Sequence, residues 1–85
     1  MSYAAFFSPR AERDRRRLPR DVAGRVASVI QGLRDDPRPP GSSKLTASTE
    51  WRIRVGDYRV RYRIDDSSRE VTITRIAHRR EVYRP

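Results

Sequence analysis

Four arginines recur at every second position on either side of a Gly-Asp dipeptide, a spacing that suits the binding of an anion. Arg52 and Arg54 precede the dipeptide, and Arg59 and Arg61 follow it. If the two segments are antiparallel strands joined by a two-residue turn, Arg54 lies opposite Arg59 and Arg52 lies opposite Arg61. Like charges placed directly opposite each other destabilise a sheet, so these pairs indicate an anionic ligand such as a polyphosphate. A solvated basic face, with long side chains fanned apart, is the competing interpretation.

The stretch from Trp51 to Ile64 sets these arginines in alternation with apolar residues. Strict alternation is typical of β-strands that have one buried face and one solvated face. The two segments are therefore predicted to form a hairpin whose turn is the Gly-Asp dipeptide. The predicted buried face of this hairpin consists of Trp51, Ile53, Val55, Tyr58, Val60, Tyr62 and Ile64.

The N-terminal part of the chain is predicted to supply one strand and two helices. Residues 2–7 form a short apolar run that fits a first strand, and Ser8 followed by Pro9 is typical of a helix start. That helix is predicted to end near Arg17, before a Leu-Pro dipeptide. Asp21 is predicted to cap a second helix that covers the sheet. The apolar positions of the second helix recur at helical spacing and are Val22, Val26, Val29, Ile30 and Leu33.

The C-terminal part is predicted to complete an antiparallel sheet. Residues 37–43 form an irregular connection, the hairpin follows, and residues 70–77 form a final strand after a turn at residues 65–68. Ile76 breaks the alternation of the final strand, so a bulge or a strand end is predicted near Arg75. We therefore predict one α+β domain over residues 1–85, in the order β-α-α-β-β-β. Its two N-terminal helices pack on a mainly antiparallel four-stranded sheet.

The charge of the chain points to an anionic partner. Its 85 residues include 20 Lys and Arg against 11 Asp and Glu, which gives a net charge of +9 and a pI near 11.3. That balance predicts a polyanion or an acidic protein as partner. The chain has no cysteine, one histidine and no clustered carboxylates, so no metal or other cofactor is expected. It also has neither a membrane-length apolar run nor a signal-peptide pattern, so a cytoplasmic protein without a membrane partner is expected.

Three segments of the chain resemble the RelE branch of the RelE/ParE toxin superfamily. They are Lys44-Leu45 after a Pro/Gly-rich loop, the hairpin sequence from Trp51 to Tyr62, and the closing Ala-His-Arg-Arg-Glu-Val-Tyr. The resemblance covers nearly the whole chain and implies the RelE-like fold. It implies a toxin of a type II toxin–antitoxin system that a co-produced antitoxin holds inactive, with a toxin–antitoxin hetero-oligomer expected. Members of the RelE branch cut mRNA in the A site of the 30S ribosomal subunit and so inhibit translation.

The same resemblance carries the cleavage residues of the family onto positions in this chain. These positions are Arg52, Arg54, Arg59, Arg79 and Tyr83. Arg80 competes with Arg79 for its place, and Lys44, Arg61 and Arg80 are further candidates for binding RNA. The chain departs from the family pattern in three ways: the segment before Tyr83 is shorter, a lysine pair has become arginine, and His78 is present.

Metal-independent RNA cleavage needs a base for the 2′-hydroxyl proton, donors for the charge on the phosphate, and an acid for the leaving oxygen. Arginine cannot be deprotonated near neutral pH, so the arginines suit the phosphate and not the base. Three residues remain as candidates for the base: Tyr83, His78 and Lys44. Histidine is the residue type best suited to proton transfer near neutral pH. Each of the three also has a purely structural interpretation, and the sequence leaves the choice open.

Three functions are compatible with these residues. The first is a ribosome-dependent endoribonuclease, whose partners are the ribosome, mRNA and the antitoxin. The second is a ParE-like inhibitor of DNA gyrase, which shares the fold but generally lacks the basic cleavage cluster. The third is a non-catalytic nucleic-acid-binding relative. The presence of the basic cluster favours the first.

Overall fold

The computed structural model describes residues 2–82, which form five strands and three helices. In chain order they are β1 (Ala4–Phe7), α1 (Pro9–Arg16), α2 (Arg20–Asp35), β2 (Ser43–Lys44), β3 (Glu50–Val55), β4 (Tyr58–Asp65), β5 (Glu70–His78) and α3 (Arg79–Val82). Within residues 2–82, no helix is both long enough and apolar enough to span a membrane.

The strands form one sheet in the order β1-β5-β4-β3-β2. β1 runs parallel to β5, and every other neighbouring pair is antiparallel. The predicted α+β architecture with a mainly antiparallel sheet is confirmed. The strand count is larger than predicted, because Ser43 and Lys44 form a short edge strand that pairs with Arg52 and Trp51. Ser43 is the last residue of the segment predicted to be irregular, and Lys44 follows it. α3 is a further element that the prediction lacked.

The β3–β4 hairpin has the predicted register. Val55 pairs with Tyr58 and Ile53 with Val60, so the turn contains two residues, and Gly56 adopts a φ of 59° there. A positive φ favours glycine, which explains why the alternation is interrupted at this point. The predicted buried face is also confirmed: Val55, Val60 and Tyr62 are buried, and its other members pack against the same core.

The two longer helices cover the apolar face of the sheet. Ser8 caps α1 as predicted, since its Oγ accepts a hydrogen bond from the Ala11 amide at 3.1 Å. The apolar stripe predicted for α2 is confirmed, with Val26, Ile30 and Leu33 in the core. The predicted cap of α2 is wrong. The helix begins one residue before Asp21, without a side-chain cap, and Asp21 lies in its first turn, where the helix dipole favours an acid.

A bulge divides β5, at the place where the alternation of the sequence breaks. Arg61 pairs with Arg75 but Tyr62 pairs with Ile73, so Thr74 is an extra residue in the strand. Beyond the bulge, Ile76 is 3% exposed and lies opposite Val60 in the core. The predicted irregularity is therefore a bulge rather than a strand end, and the strand continues on the far side in the opposite phase.

Candidate functional site

The sheet face opposite the helices carries a row of arginines from β3 and β4, which we call the arginine face: Arg52, Arg54, Arg59 and Arg61. The register places Arg54 opposite Arg59 and Arg52 opposite Arg61, as predicted. Two like-charged pairs therefore stand side by side on neighbouring strands. Since such pairs destabilise a sheet unless another group compensates them, the neighbours of each arginine decide what the face can bind.

The pair of Arg52 and Arg61 has compensating neighbours. Arg61 forms an ion pair with the Glu50 carboxylate at 2.6 Å, and Arg52 donates from Nε to the Ser43 hydroxyl at 3.2 Å. The register puts Glu50 opposite Arg63, yet its carboxylate reaches the diagonal neighbour instead. Both guanidinium groups are thereby held in place by protein groups. This half of the face consists of oriented donors and not of freely moving charges.

The other half of the face opens into a cleft of about 310 Å³, which we call the tail cleft. Its arginines are Arg54 and Arg59 from the hairpin and Arg79 and Arg80 from the start of α3. Arg59 is 6% exposed, whereas the other three are exposed. Arg54 has no ion pair within residues 2–82. The tail cleft thus combines one buried guanidinium with three exposed ones.

Two contacts hold α3 over the tail cleft. The Arg79 amide donates to the Asp57 carbonyl of the hairpin turn at 2.8 Å. Glu81 forms an ion pair at 2.9 Å with Arg75, the residue that follows the bulge. These contacts bring Arg79 and Arg80 to arginines that are at least 20 positions earlier in the chain.

A second cleft, of about 430 Å³, lies on the other side of Arg59, and we call it the loop cleft. It is lined by Arg52, Arg59 and Arg61 and by three neutral residues of the turn between β2 and β3: Leu45, Thr46 and Ser48. Arg59 therefore lines both clefts. An anion bound by Arg59 would lie between them, with the two clefts on either side.

Two predicted candidates lie away from the arginine face. His78 is opposite Tyr58 of the apolar face, and the two rings make an edge-to-face contact with centroids 5.2 Å apart. Its Nδ1 accepts a hydrogen bond from the Arg80 amide at 3.2 Å. Lys44 is exposed and lies opposite Trp51, so it too has the parity of the apolar face. His78 contacts the arginines of the tail cleft only through the Arg80 amide, and neither His78 nor Lys44 lines the tail cleft.

A signal in the sequence identifies the face of His78. Ile76 is the buried residue after the break in alternation, and His78 follows it by two positions, so both lie on the same face of the strand. The predicted bulge therefore already places His78 on the apolar side. The remaining candidate for the base, Tyr83, lies outside the described residues.

The chemistry of the arginine face follows from its residue types. Guanidinium groups remain protonated at physiological pH and present fixed, planar sets of donors to phosphate oxygens. Within residues 2–82, no group of three or more His, Cys, Asp or Glu side chains could hold a metal ion. The described residues can therefore bind and orient an anion with several oxygens, and supply positive charge where negative charge increases.

Comparison with known proteins finds toxins of type II toxin–antitoxin systems. Residues 5–83 match the family described as the ParE toxin of type II toxin–antitoxin systems, parDE. Toxin RelG of Mycobacterium tuberculosis is 34% identical over 86 residues, which cover 99% of each chain. The toxin–antitoxin complex RelBE2 of the same organism contains a chain that is 28% identical, with a TM-score of 0.80 over 92% of this chain and 99% of that one.

The archaeal RelE–RelB complex of Pyrococcus horikoshii and the intact RelBE complex of Escherichia coli share the fold. The first has a TM-score of 0.82 at 24% identity, over 93% of this chain and 97% of that one. The second has a TM-score of 0.81 at 21% identity, over 91% and 96%. At these identities the likeness concerns the fold alone.

Proposed function

The chain belongs to the RelE/ParE superfamily of toxins from type II toxin–antitoxin systems, and we propose that it is a ribosome-dependent endoribonuclease. In this proposal it cleaves mRNA in the ribosomal A site and so arrests translation. The observation that carries the proposal is the convergence of Arg54, Arg59 and Arg79 on one cleft. A gyrase inhibitor that cuts no nucleic acid has no need of such a set of phosphate donors.

The reaction that fits these residues is attack by a ribose 2′-oxygen on the adjacent phosphorus. The new P–O bond closes a 2′,3′-cyclic phosphate while the bond to the 5′-oxygen breaks. One proton leaves the 2′-hydroxyl and one is delivered to the 5′-oxygen, which becomes a hydroxyl. Negative charge increases on the non-bridging phosphate oxygens in the transition state, and donors fixed beforehand stabilise that charge most effectively.

The proposed roles follow the burial of each arginine. Arg59 is buried and would bind the scissile phosphate as a fixed donor, while Arg54 approaches it from the neighbouring strand. Arg79, at the start of α3, would bind near the leaving oxygen. Tyr83 is the proposed base, because His78 and Lys44 have the parity of the opposite face of the sheet. That role requires a tyrosine whose pKa is lowered, and positive charge close to a phenol has that effect.

The proposal also includes a cognate antitoxin. Relatives of the chain have been solved as toxin–antitoxin complexes. A net charge of +9 on 85 residues complements an acidic, amphipathic protein segment. The pair would form a hetero-oligomer in the cytoplasm, where translation takes place. Size-exclusion chromatography of the co-expressed pair would measure that assembly.

The test adds purified protein to translating ribosomes and maps the 5′ ends of the mRNA. We expect cuts within A-site codons, and none where the ribose at the cut carries no 2′-hydroxyl. Arg54→Ala and Arg79→Ala should each slow cleavage roughly 10- to 100-fold, since each removes one charged donor from an open cleft. The matched control is Arg63→Ala, an exposed arginine of the same sheet face that lines neither cleft.

A ParE-like gyrase inhibitor is the second candidate, because the description of the matching family names ParE. It predicts intact mRNA in the ribosome assay together with trapped gyrase–DNA complexes. That result would refute the ribonuclease proposal. Equal cleavage by the wild type and by both the Arg54 and Arg79 variants would instead refute the roles assigned to the tail cleft.

A further inference from the structure

The loop cleft differs from the tail cleft in the chemistry of its walls. The tail cleft has charged side chains on most of its lining, four arginines and Asp57, with Gly56 and Tyr58 as its neutral residues. The loop cleft has arginines on one side only. Its other side is the turn between β2 and β3, where Leu45, Thr46 and Ser48 present methyl groups and hydroxyls but no charge. A ligand that fits both sides has an anionic part and a neutral part.

Hydrogen bonds within the turn between β2 and β3 fix this neutral wall of the loop cleft. The Leu45 amide donates to the Glu50 carbonyl at 2.9 Å, which closes the turn. The Ser48 hydroxyl accepts from the Glu50 amide at 3.0 Å, and Ala47 adopts a φ of 54° between them. Backbone contacts thus fix the turn before any ligand arrives, which reduces the ordering that binding requires.

The opposite wall is oriented as well. The Glu50 carboxylate holds Arg61, and the Ser43 hydroxyl holds Arg52. A volume of about 430 Å³ lies within the range of clefts that bind small organic groups. Planar guanidinium groups stack on nucleobases, and hydroxyls bond to the polar edges of the bases. A nucleobase with its neighbouring phosphate has the combination of parts that these two walls match.

We propose that the loop cleft binds a nucleobase of the RNA, the base next to the phosphate held by Arg59, and that the turn at residues 45–48 discriminates bases by size. This inference rests on the proposed function and extends it from the reaction to the choice of cut site. Arg59 lines both clefts, so a phosphate bound there directs one adjoining nucleoside into the loop cleft. Thr46 is the exposed side chain of the neutral wall and determines how much space a base has.

The test uses a library of mRNAs with varied A-site codons on translating ribosomes, and 5′-end mapping of the cuts. It compares the wild type with Thr46→Phe, which narrows the loop cleft, and Thr46→Ala, which widens it. The matched control is Thr49→Phe. Thr49 is an exposed threonine of the same turn, but it lines a groove beside Arg63 and Asp65 instead.

Thr46→Phe should lower the ratio of purines to pyrimidines found at one position next to the cut by about tenfold. Small changes of pocket shape change discrimination by at least about this factor. Thr46→Ala should raise the ratio, and Thr49→Phe should keep the wild-type value. If the wild type cleaves and both Thr46 variants retain its base preference, or if Thr49→Phe changes it equally, the inference is overturned and the ribonuclease proposal stands. If the wild type cuts no mRNA, the proposed function fails and the inference fails with it. Should Thr46→Phe not fold, the ratio for Thr46→Ala decides.

Discussion

Asp14 joins α1 to the bulge of β5, and its removal should destabilise the whole domain. The carboxylate accepts hydrogen bonds from the Ile76 amide at 2.9 Å, from Arg75 Nε at 3.2 Å and from Arg10 Nε at 3.3 Å. Only 10% of the Asp14 side chain is exposed. The Ile76 amide lies in the part of β5 beyond Phe7 and Ile73, the last pair of the β1–β5 ladder, and here the acid supplies the acceptor. The perturbation that tests this role is Asp14→Ala.

The expected cost follows from the three donors. An amide left without an acceptor costs about 1–3 kcal/mol, and Ile76 is 3% exposed. The bond to Arg75 adds less than a buried charged pair would, because that side chain is 27% exposed and retains Glu81. Arg10 is 54% exposed and adds little. The sum is about 1–4 kcal/mol, which for a domain of this size lowers Tm by roughly 4–30 °C.

Urea denaturation followed by circular dichroism measures this free energy of unfolding. Asp14→Asn should fall between the wild type and Asp14→Ala, since an amide oxygen still accepts from Ile76. Arg10→Ala is the matched control and should cost less than about 1 kcal/mol, because it removes only the exposed donor. An Asp14→Ala variant that stays within about 0.5 kcal/mol of the wild type, the range of ordinary surface substitutions, would contradict this role of Asp14.

Two further predictions concern exposed turns. The pKa of Asp66 is lowered from 3.8 to about 2, and a hydrogen bond from Arg38 is the largest cause. The stability that this contact contributes is therefore complete above about pH 4 and is lost as the pH falls towards 2. Asp66→Asn should flatten that part of the curve of unfolding free energy against pH, and an unchanged slope would contradict the assignment. Gly56→Ala should destabilise the protein by about 1–2 kcal/mol, because Gly56 has a positive φ. Gly32 lies in α2, where an added Cβ has nothing within 4 Å, so Gly32→Ala should stabilise the protein by up to about 1 kcal/mol. Urea denaturation of both variants checks this pair, and effects of the same sign would contradict it.

The hairpin could be predicted residue by residue because two signals agree there. Alternation assigns each side chain to a face, and the Gly-Asp dipeptide marks the turn, so the register of β3 with β4 follows without any knowledge of the rest of the chain. The core face of α2 could be predicted for the same reason, since its apolar residues repeat at helical spacing. Both elements carry a periodic pattern long enough to define their buried face.

The elements that the prediction missed carry no such pattern. β2 contains two residues and α3 contains four, and neither length is enough to show a period. The start of α2 was misplaced because Asp21 has the chemistry of a cap, yet the Pro19 carbonyl accepts from the Ala23 amide and the helix begins earlier. Backbone bonding decided that boundary, and side-chain preference alone does not reveal it.

The residue types of the candidate site could be predicted, but not their burial or which of them share a cleft. Alternation put Arg54 and Arg59 on one face, and the structure agrees. Alternation does not indicate that Arg59 is buried. The arrival of Arg79 in the same cleft depends on where α3 lies, which contacts with Asp57 and Arg75 determine. Those contacts join residues that are distant or out of phase in the sequence, so no local pattern indicates them.

The extra residue at Thr74 also determines the chemical character of the site. If β5 alternated without interruption after Ile73, His78 would lie on the arginine face and Arg79 on the helix-covered face. The bulge reverses both positions: His78 packs against Tyr58, and Arg79 reaches the tail cleft. An imidazole gains or loses its charge near neutral pH, whereas a guanidinium retains it. A single inserted residue, followed by a segment that Asp14 of α1 bonds at the Ile76 amide, therefore gives the cleft the guanidinium of Arg79 in place of the imidazole of His78.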